Sequence, residues 1–297
     1  MKKIKNEIIF IICIVIFIII LFYYYHTNIV KYEKYENNEK FILITYETDS
    51  KNPHLQNLIN QMDKYNFNYI ILGNNEKWDG WFGRLKKYQE YIDTLDNNTY
   101  ILLCDARDVL INNKTSSIFL QKAKELYKKN NNKLIVGTEE GCCTGDENNI
   151  RHRSYKIPDK SISLHQEYRN HMEKKTYEID PNYKHKFYYL NFGLLFGRAK
   201  DFKNIFNKMN IQPGEDDQLL LQKLYYEEPE LLYPDIKQEL LSNSLVNGDC
   251  SYEYNDENNS FINKKTDTYP YIIQTPGKNW ECYKKIANQI IDNPSYL

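Results

Sequence analysis

A strand, a helix and a second strand follow one another at the start of the polar part of this chain. Residues 40–46 and 68–73 are short apolar runs, and residues 53–65 between them carry apolar side chains at helical spacing. Elements of these lengths in this order form a βαβ unit, whose two strands lie parallel in one sheet. The pattern predicts an α/β domain that begins with the first half of a nucleotide-binding sheet.

Two aspartates interrupt the next apolar run, residues 100–111. Asp105 follows a stretch that is typical of a strand buried on both faces, and Asp108 comes directly before a second apolar triplet. Carboxylates beside such a run are costly unless they bind a cation or cap a turn. Because ligands of open α/β sheets bind at the carboxyl ends of the strands, both aspartates can face one divalent metal that holds a diphosphate. A plain turn after the strand is the alternative that this spacing leaves open.

The N-terminus contains a long apolar segment. Residues 8–25 carry no charge, and in a helix they would span about 27 Å, close to the thickness of a bilayer core. Lysines before this segment favour a cytosolic position for residues 1–7. No small-x-small cleavage site follows, so we predict an uncleaved transmembrane signal anchor instead of a signal peptide. Residues 26–39 would be a stem, and residues 40–297 a domain on the lumenal (ER- or Golgi-like) or exterior side of a type II single-pass membrane protein.

Net charge and cysteine spacing argue against nucleic-acid binding and against a zinc ribbon. The net charge of −1 gives no global positive field, so we predict no nucleic-acid partner. No C-x-x-C spacing occurs, which argues against a zinc ribbon. An oxidising compartment would permit disulfides, and Cys250 with Cys282 is a plausible pair.

A loop that contains glycine and tryptophan precedes a helix predicted over residues 85–95. Gly80 and Gly83 would let the backbone approach a ligand, Trp78 offers a stacking face, and Arg84 could reach a phosphate. An ordinary loop with two partly buried tryptophans is the alternative.

Two further stretches carry candidate polar residues. Asn191 lies inside an apolar strand predicted over residues 188–199, where it needs hydrogen-bond partners, and a sugar hydroxyl is one candidate. Asp216 and Asp217 open a helix, where capping accounts for at least one acid. Residues 144–186 are charged and predict a long irregular loop. Its scattered histidines have no ligand spacing and predict surface positions: His152, His165, His171 and His185.

Taken in order, these stretches resemble the glycosyltransferase domain of the procollagen lysyl hydroxylase/glycosyltransferase proteins and of similar collagen-type sugar transferases. The resemblance covers about residues 40–291. It implies a GT-A fold, a Rossmann-like mixed α/β sheet flanked by helices, which binds a UDP-sugar through Mn²⁺. It also likens Glu140 with Cys142 to the family's acid-then-cysteine stretch.

The resemblance implies a role for each candidate residue. Asp105 and Asp108 match the family's metal aspartates, and Gln274 stands where the family has the histidine that is its third metal ligand. Arg84 takes the place of a family lysine, and Arg107 that of an aromatic residue beside the base. The implied nucleotide-binding residues are Thr45, Glu47, Trp78, Arg84, Arg107 and Lys278. Donor sugar and acceptor would meet at Asp216, Asp217 and Asn191.

The resemblance implies transfer of a hexose, glucose or galactose, from a UDP-sugar to a hydroxyl acceptor. The acceptor would be a glycan or a protein such as hydroxylysine-containing, collagen-like chains. Two other functions stay open from the sequence: a catalytically inactive lectin-like protein with the same fold, and a membrane-anchored attachment protein that only binds a partner.

Overall fold

The structure is a computed structural model that describes residues 40–141, 160–244, 250–277 and 279–296, without the side chains of residues 160–166. The predicted cytosolic segment, anchor and stem lie outside the described residues, and so does Lys278. Among the residues that are described, no helix combines the length and the apolar character that crossing a bilayer requires. The described secondary structure belongs to a compact unit that begins at Phe41.

The described part of the chain forms eleven strands and seven helices. The strands are β1 (Phe41–Tyr46), β2 (Tyr69–Leu72), β3 (Tyr100–Cys104), β4 (Val109–Ile111), β5 (Leu134–Glu139), β6 (Tyr189–Arg198), β7 (Leu232–Pro234), β8 (Leu241–Asn243), β9 (Tyr252–Asn255), β10 (Ser260–Asn263) and β11 (Ile272–Gln274). The helices are α1 (Pro53–Lys64), α2 (Gly80–Asp93), α3 (Ser116–Lys129), α4 (Lys160–Ile179), α5 (Ala199–Met209), α6 (Asp217–Glu227) and α7 (Trp280–Ile290).

Nine of the strands form one mixed sheet. Its order is β2-β1-β3-β6-β5-β8-β11-β4, and β7 pairs with β5 off this path. Strands β4 and β6 run antiparallel to their neighbours, while the other strands of the sheet run parallel to one another. The predicted βαβ unit and the mixed α/β sheet flanked by helices are therefore confirmed.

Helices cover both faces of the sheet, and each face has its own apolar core. On one face, Leu85 and Tyr88 of α2 pack with Phe202 of α5 in a cluster of buried side chains. On the other face, Met62 of α1 and Phe119 of α3 belong to a second cluster. Burial of one such side chain contributes roughly 1.5–3 kcal/mol, so these two clusters supply much of the favourable free energy of folding.

The apolar run that contains the two aspartates is divided between distant strands. β3 lies in the middle of the sheet between β1 and β6, whereas β4 is the edge strand beside β11. Asp105 and Asp108 lie where the chain crosses from one strand to the other. This crossing places both carboxylates at the edge where the parallel strands end.

Strand β6 is irregular at the same edge of the sheet. Leu195 pairs with Val136 and Leu190 pairs with Thr138, so residues 191–194 of β6 lie opposite Gly137 alone. Bulged strands re-aim side chains and are frequent beside active sites. Asn191 and Gly193 lie in this irregular segment, and the Gly193 carbonyl accepts a hydrogen bond from the amide of Asp105.

The prediction of one long irregular loop over residues 144–186 was wrong, because helix α4 lies within it. Tyr168, Met172 and Thr176 recur every four residues, and all three are buried. The helical pattern was hidden because its other residues are mostly polar and charged. Helix α2 also begins earlier than predicted, at Gly80, with Asp79 as its N-cap residue.

A hairpin and a disulfide complete the C-terminal part of the fold. Strands β9 and β10 form a two-stranded antiparallel sheet, which sequence inspection did not predict. The predicted pairing of Cys250 with Cys282 is confirmed, with the two Cα atoms 4.9 Å apart. Because Cys282 is in the first turn of α7, this bond fixes the helix that follows the Gln274 loop.

Candidate active site

The candidate site lies at the edge where the parallel strands of the sheet end. Glu47 follows β1, Asp105 follows β3, and Glu139 and Gln274 are the last residues of β5 and β11. Strand β6, which runs the opposite way, brings Asn191 to the same edge near its start. This is the position where open α/β sheets bind their ligands.

One glutamine amide joins the two predicted metal aspartates. Nε2 of Gln274 donates to Oδ2 of Asp105 at 2.8 Å and to Oδ1 of Asp108 at 3.3 Å. Gln274, more than 160 residues further along the chain, therefore meets both aspartates. Among the described residues, no group of three His, Cys, Asp or Glu side chains forms a metal site, and Gln274 is the side chain that bonds to both aspartates.

The other polar atom of the Gln274 amide has no hydrogen-bond partner among the described residues. Oε1 of Gln274 is buried and accepts no hydrogen bond from the described residues. A buried acceptor of this kind costs about 1–3 kcal/mol unless a ligand or water supplies the missing interaction. Two carboxylates and one free amide oxygen are a donor set that suits an oxygen-preferring cation such as Mn²⁺ or Mg²⁺.

Gly193 makes room for this arrangement. A Cβ atom at this position would lie 2.5 Å from Oδ2 of Asp105 and 2.7 Å from Oε1 of Gln274, so no larger residue fits without displacing them. The backbone carbonyl of Gly193 also accepts a hydrogen bond from the amide of Asp105 at 2.9 Å. Gly193 thus allows the backbone of β6 to approach Asp105 closely enough to hydrogen-bond to it.

Negative charge on both Asp105 and Asp108 is energetically unfavourable unless a cation is bound. Burial and the neighbouring Asp105 carboxylate raise the pKa of Asp108 to about 7. Since the ionised form is what a metal binds, a cation and a proton compete for Asp108.

Arg84 connects the carboxylate pair to helix α6. Its Nη1 donates to Oδ1 of Asp105 at 2.6 Å, while Nε and Nη2 donate to Oδ2 of Asp217 at 3.1 and 2.5 Å. Burial alone would lower the pKa of Arg84, but Asp217 and Asp105 raise it, so the guanidinium stays charged. Burial raises the pKa of Asp217 to about 7 against the opposing pull of Arg84.

The two acids at the start of α6 have different roles. Asp216 is the N-cap residue, and its Oδ1 accepts from the amide of Leu219 at 2.8 Å. The capping role predicted for one of the two acids is therefore confirmed for Asp216. Asp217 is buried and turns inward to Arg84, so it is the acid that lies in the site.

A second polar group lies beside this centre and was only partly predicted. Oε2 of Glu139 accepts from Nδ2 of Asn191 at 3.2 Å, and its Oε1 accepts from Nε2 of Gln218 at 2.8 Å. Asn191 in turn accepts from the amide of Gly193 at 2.7 Å. The resemblance matched the neighbouring Glu140 to the family's acid-then-cysteine stretch, and Glu140 pairs with Lys265. The position of Glu139 as the last residue of a buried strand was the signal that could have identified it.

Glu47 and Arg107 form a paired unit near the aspartates. Nε and Nη2 of Arg107 donate to the two carboxylate oxygens of Glu47 at 2.6 and 2.8 Å. Burial would raise the pKa of Glu47, but hydrogen bonds from Arg107 and from backbone amides lower it. The Arg107 side chain is 49 % exposed, so part of it is open to a ligand.

Trp78 and Thr45 are placed differently from the other nucleotide-site candidates. Trp78 is exposed and contacts the rings of Tyr46 and Trp81 edge-on, at 5.9 and 5.0 Å between centroids. Thr45 is fully buried within β1. Hydrogen bonds therefore join Asp105, Asp108, Gln274, Arg84 and Asp217 into one network. Arg107 pairs separately with Glu47, and Trp78 contacts Trp81, whose ring stacks on Arg84.

Known proteins are similar to parts of this chain. The chain is 24 % identical over 201 residues to the multifunctional procollagen lysine hydroxylase and glycosyltransferase of Caenorhabditis elegans. The match covers 64 % of this chain and 23 % of that protein, so the chain corresponds to less than a quarter of its relative.

Two solved structures are similar at low sequence identity. One is a glycosyltransferase involved in the glycosylation of the major capsid of PBCV-1, with 11 % identity, a TM-score of 0.43, and coverage of 84 % of this chain and 98 % of that one. The other is the 4-diphosphocytidyl-2C-methyl-D-erythritol synthase of Anaerococcus prevotii, with 13 % identity, a TM-score of 0.34, and coverage of 66 % and 86 %.

The family model described as the PLOD GT domain matches residues 144–294, just over half of the chain. This segment contains β6 with Asn191, helix α6 with Asp217, and β11 with Gln274. It is thus the half of the chain that supplies partners to Asp105, Asp108 and Arg84. The chain belongs to the PLOD GT domain family of glycosyltransferases.

Proposed function

We propose that this protein transfers a hexose, glucose or galactose, from a UDP-sugar to a hydroxyl acceptor on a protein or a glycan. The observation that carries the proposal is the convergence of Asp105, Asp108 and the unpartnered Oε1 of Gln274 at the ligand-binding edge of the sheet. Membership of a glycosyltransferase family supports the reaction class. The lysine hydroxylase relative supports hydroxylysine in collagen-like chains as one acceptor.

The GT-A architecture is part of the proposal. The parallel order β2-β1-β3 and the D-x-x-D crossing after β3 support it, because they put an acidic pair next to the first βαβ unit. Strand β6 then runs antiparallel beside β3, which accounts for a mixed sheet instead of a fully parallel one.

Asp105, Asp108 and Gln274 would hold Mn²⁺. When bound, this cation supplies Lewis-acid stabilisation to a diphosphate leaving group. The side chains are already held for this purpose: Arg84 fixes Asp105, and the Gly193 carbonyl fixes its backbone. Coordination by Gln274 requires its amide to turn so that Oε1 replaces Nε2 on the side of the carboxylates.

The nucleotide would bind beside Glu47 and Arg107. Two hydrogen bonds to Glu47 fix the orientation of the planar Arg107 guanidinium. Such a planar group stacks well on an aromatic base. Trp78 offers an exposed ring for the same nucleotide, and Thr45 supports the pocket from within β1. Lys278, outside the described residues, is the predicted cation beside the leaving group.

Transfer would take place between Asp217 and Asn191. The bond between the sugar C1 and the diphosphate oxygen breaks, the acceptor oxygen forms the new bond to C1, and the acceptor proton passes to a base. Asp217 is our candidate for that base, because its ion pair with Arg84 uses only Oδ2 and its pKa of about 7 suits general base catalysis. Asn191, with Asp216 at the helix start, would orient sugar hydroxyls.

We further propose that residues 8–25 anchor the protein in a membrane as a type II protein. The domain would then face a lumenal or exterior compartment. The charge-free apolar segment supports the anchor, and the Cys250–Cys282 disulfide supports an oxidising compartment.

A screen of UDP-sugars with the purified protein tests the reaction class. The protein is incubated with each UDP-sugar and Mn²⁺, and released UDP is measured with and without a hydroxylysine-containing peptide. Release of UDP from one hexose donor in preference to the others is expected. No release from any UDP-sugar, with or without the peptide, would contradict the proposal.

A catalytically inactive binding protein is the second candidate. The observation that favours it is the bond of Gln274 Nε2 to both aspartates, because an amide hydrogen partly replaces the cation there. Under this alternative UDP would stabilise the protein against heat, as any native-state ligand does, yet no sugar would be released. A structural attachment protein would show neither effect.

A further inference from the structure

Arg84 is enclosed between two carboxylates that belong to different parts of the proposed reaction. Its side chain is only 9 % exposed, and the Asp217 side chain is 4 % exposed. Each of its three guanidinium nitrogens donates to a carboxylate: Nη1 to Asp105, and Nε and Nη2 to Asp217. The group therefore joins helix α2 to the end of β3 on one side and to the start of α6 on the other.

Aromatic rings hold the guanidinium in this orientation. The guanidinium carbon lies 4.4 Å from the centre of the Trp81 ring and 5.3 Å from that of Phe192. Stacking on aromatic rings favours a planar guanidinium over a compact ammonium. The plane of Arg84 is thus fixed by its packing as well as by its hydrogen bonds.

On this geometry we propose that Arg84 is a positioning residue that fixes Asp105 and Asp217 relative to each other. It is not a ligand of the nucleotide diphosphate. The inference rests on the proposed function, and it assigns to Arg84 a role other than the phosphate contact that the sequence predicts. The planar guanidinium of an arginine has donors on more than one edge, so it can orient two carboxylates at once. A lysine carries its donors on a single nitrogen.

The consequence is a coupling between the metal position and the acceptor position. If Asp105 turns away from Arg84, the guanidinium loses one of its two carboxylate partners and is free to move away from Asp217. The orientations of Asp105 and Asp217 are therefore coupled through Arg84. Replacing such a supporting residue typically lowers metal affinity or activity by roughly 10- to 100-fold. Ground-state binding of the nucleotide base should be unaffected.

The test compares Arg84→Lys with Arg198→Lys as a matched control. Arg198 also stacks on an aromatic ring and bonds to Tyr100, but it lies at the far end of β6. For Arg84→Lys we expect a fall of roughly 10- to 100-fold in kcat for UDP-sugar turnover, and a similar fall in Mn²⁺ affinity measured by calorimetry in the presence of UDP. UDP affinity measured without metal should stay within about twofold, since that readout reports contacts to the nucleotide alone. Arg198→Lys should match the wild type in all three.

Two further variants separate positioning from general loss of structure. Because Arg84 acts on kcat partly through Asp217, the effects of Arg84→Lys and Asp217→Asn on kcat should not simply add. The fall in Mn²⁺ affinity acts through Asp105, so it should persist in the double variant. Trp81→Leu removes one stacking ring without altering any charge, and it should reproduce a smaller fall in kcat at unchanged metal-free UDP affinity. It serves as the test if Arg84→Lys does not fold.

Three results would overturn the inference. A metal-free UDP affinity that falls in step with kcat would make Arg84 a diphosphate ligand. An Arg84→Lys protein that behaves like Arg198→Lys, or effects of Arg84→Lys and Asp217→Asn that simply add, would show that the guanidinium is not required. If the wild type turns over no UDP-sugar, the Mn²⁺ titration in the presence of UDP still decides the role of Arg84. A wild type that also fails to bind Mn²⁺ in the presence of UDP would contradict both proposals.

Discussion

Nε2 of Gln274 lies 2.8 Å from Oδ2 of Asp105, so an amide hydrogen faces the carboxylate on the side where a cation would bind. The amide must turn over before Oε1 can act as a ligand. Metal binding therefore competes with an existing hydrogen bond, and it gains only a neutral oxygen donor in return. This relationship predicts a metal site that is weak until the nucleotide contributes its own oxygens.

Gln274→His should tighten Mn²⁺ binding in the absence of nucleotide. Imidazole is a better donor than an amide oxygen, and histidine binds transition metals well but Mg²⁺ poorly, so the variant should also gain preference for Mn²⁺. Calorimetric titration of both cations into wild type and variant measures this, with Gln56→His on helix α1 as the control. Tight Mn²⁺ binding by the nucleotide-free wild type would mean that another residue, such as His152 or His165, supplies the missing ligand.

Asp105→Asn and Asp108→Asn should each abolish turnover while changing the melting temperature of the metal-free protein little. Asp108→Asn removes a charge that a cation would compensate, so the stability of the metal-free form can even rise. Asp105→Asn also weakens the bond to Arg84, but Arg84 keeps its bonds to Asp217, so the loss of stability should be small. Asp235→Asn is the contrast, because Asp235 accepts hydrogen bonds from the amides of Glu239, Leu240 and Leu241. If Asp105→Asn and Asp108→Asn both destabilise as strongly as Asp235→Asn, the aspartates form a structural turn.

The metal-free protein should lose stability as the pH rises towards neutrality. The pKa of Asp108 is raised to about 7, above its value in the unfolded chain, so the folded state binds the proton more tightly. Its stabilising contribution is present at low pH, below the unfolded-state pKa, and is lost as the pH rises through about 7. Melting curves of wild type and Asp108→Asn between pH 5 and 8 should show a flatter dependence for the variant. An unchanged dependence would place the titration elsewhere. Mn²⁺ affinity should rise over the same range, because binding releases the proton.

Asp217→Ala should lower transfer far more than it lowers UDP binding. The partner of Asp217 in the proposal is the acceptor, so its loss should act on kcat. Steady-state kinetics together with UDP titration separates the two quantities. A UDP affinity that falls in step with turnover would assign Asp217 to the nucleotide or metal site instead.

The sequence was sufficient for the parts of the fold that local pattern controls. The first βαβ unit is legible because its apolar spacing changes from strand to helix and back within residues 40–73. The carboxylate pair was predicted because charged side chains beside a buried strand need a reason to be there. Helix α4 was missed because most of its surface is polar, and only Tyr168, Met172 and Thr176 mark its buried side.

The long-range contacts of the site were beyond what the sequence could show. Nothing local indicates that Arg84 reaches Asp217, which is 133 residues away, since the contact depends on how α2 and α6 pack on the sheet. Glu139 and Glu140 are adjacent residues of the same type, so the sequence does not show which of their side chains faces the site. A shift of one residue at a strand end moves a side chain to the other side, so Glu139 enters the site and Glu140 pairs with Lys265.

The most direct test of the central claim is UDP release from a UDP-hexose by the purified protein, measured with Mn²⁺, with Mg²⁺ and with a chelator. Asp105→Asn serves as the matched control, because asparagine has nearly the same shape as aspartate and the substitution changes one charge. The account predicts release that depends on the divalent cation, is only modestly faster with Mn²⁺ than with Mg²⁺, and is lost in Asp105→Asn. Release that continues unchanged in chelator and in Asp105→Asn, or no release under any of these conditions, would contradict it.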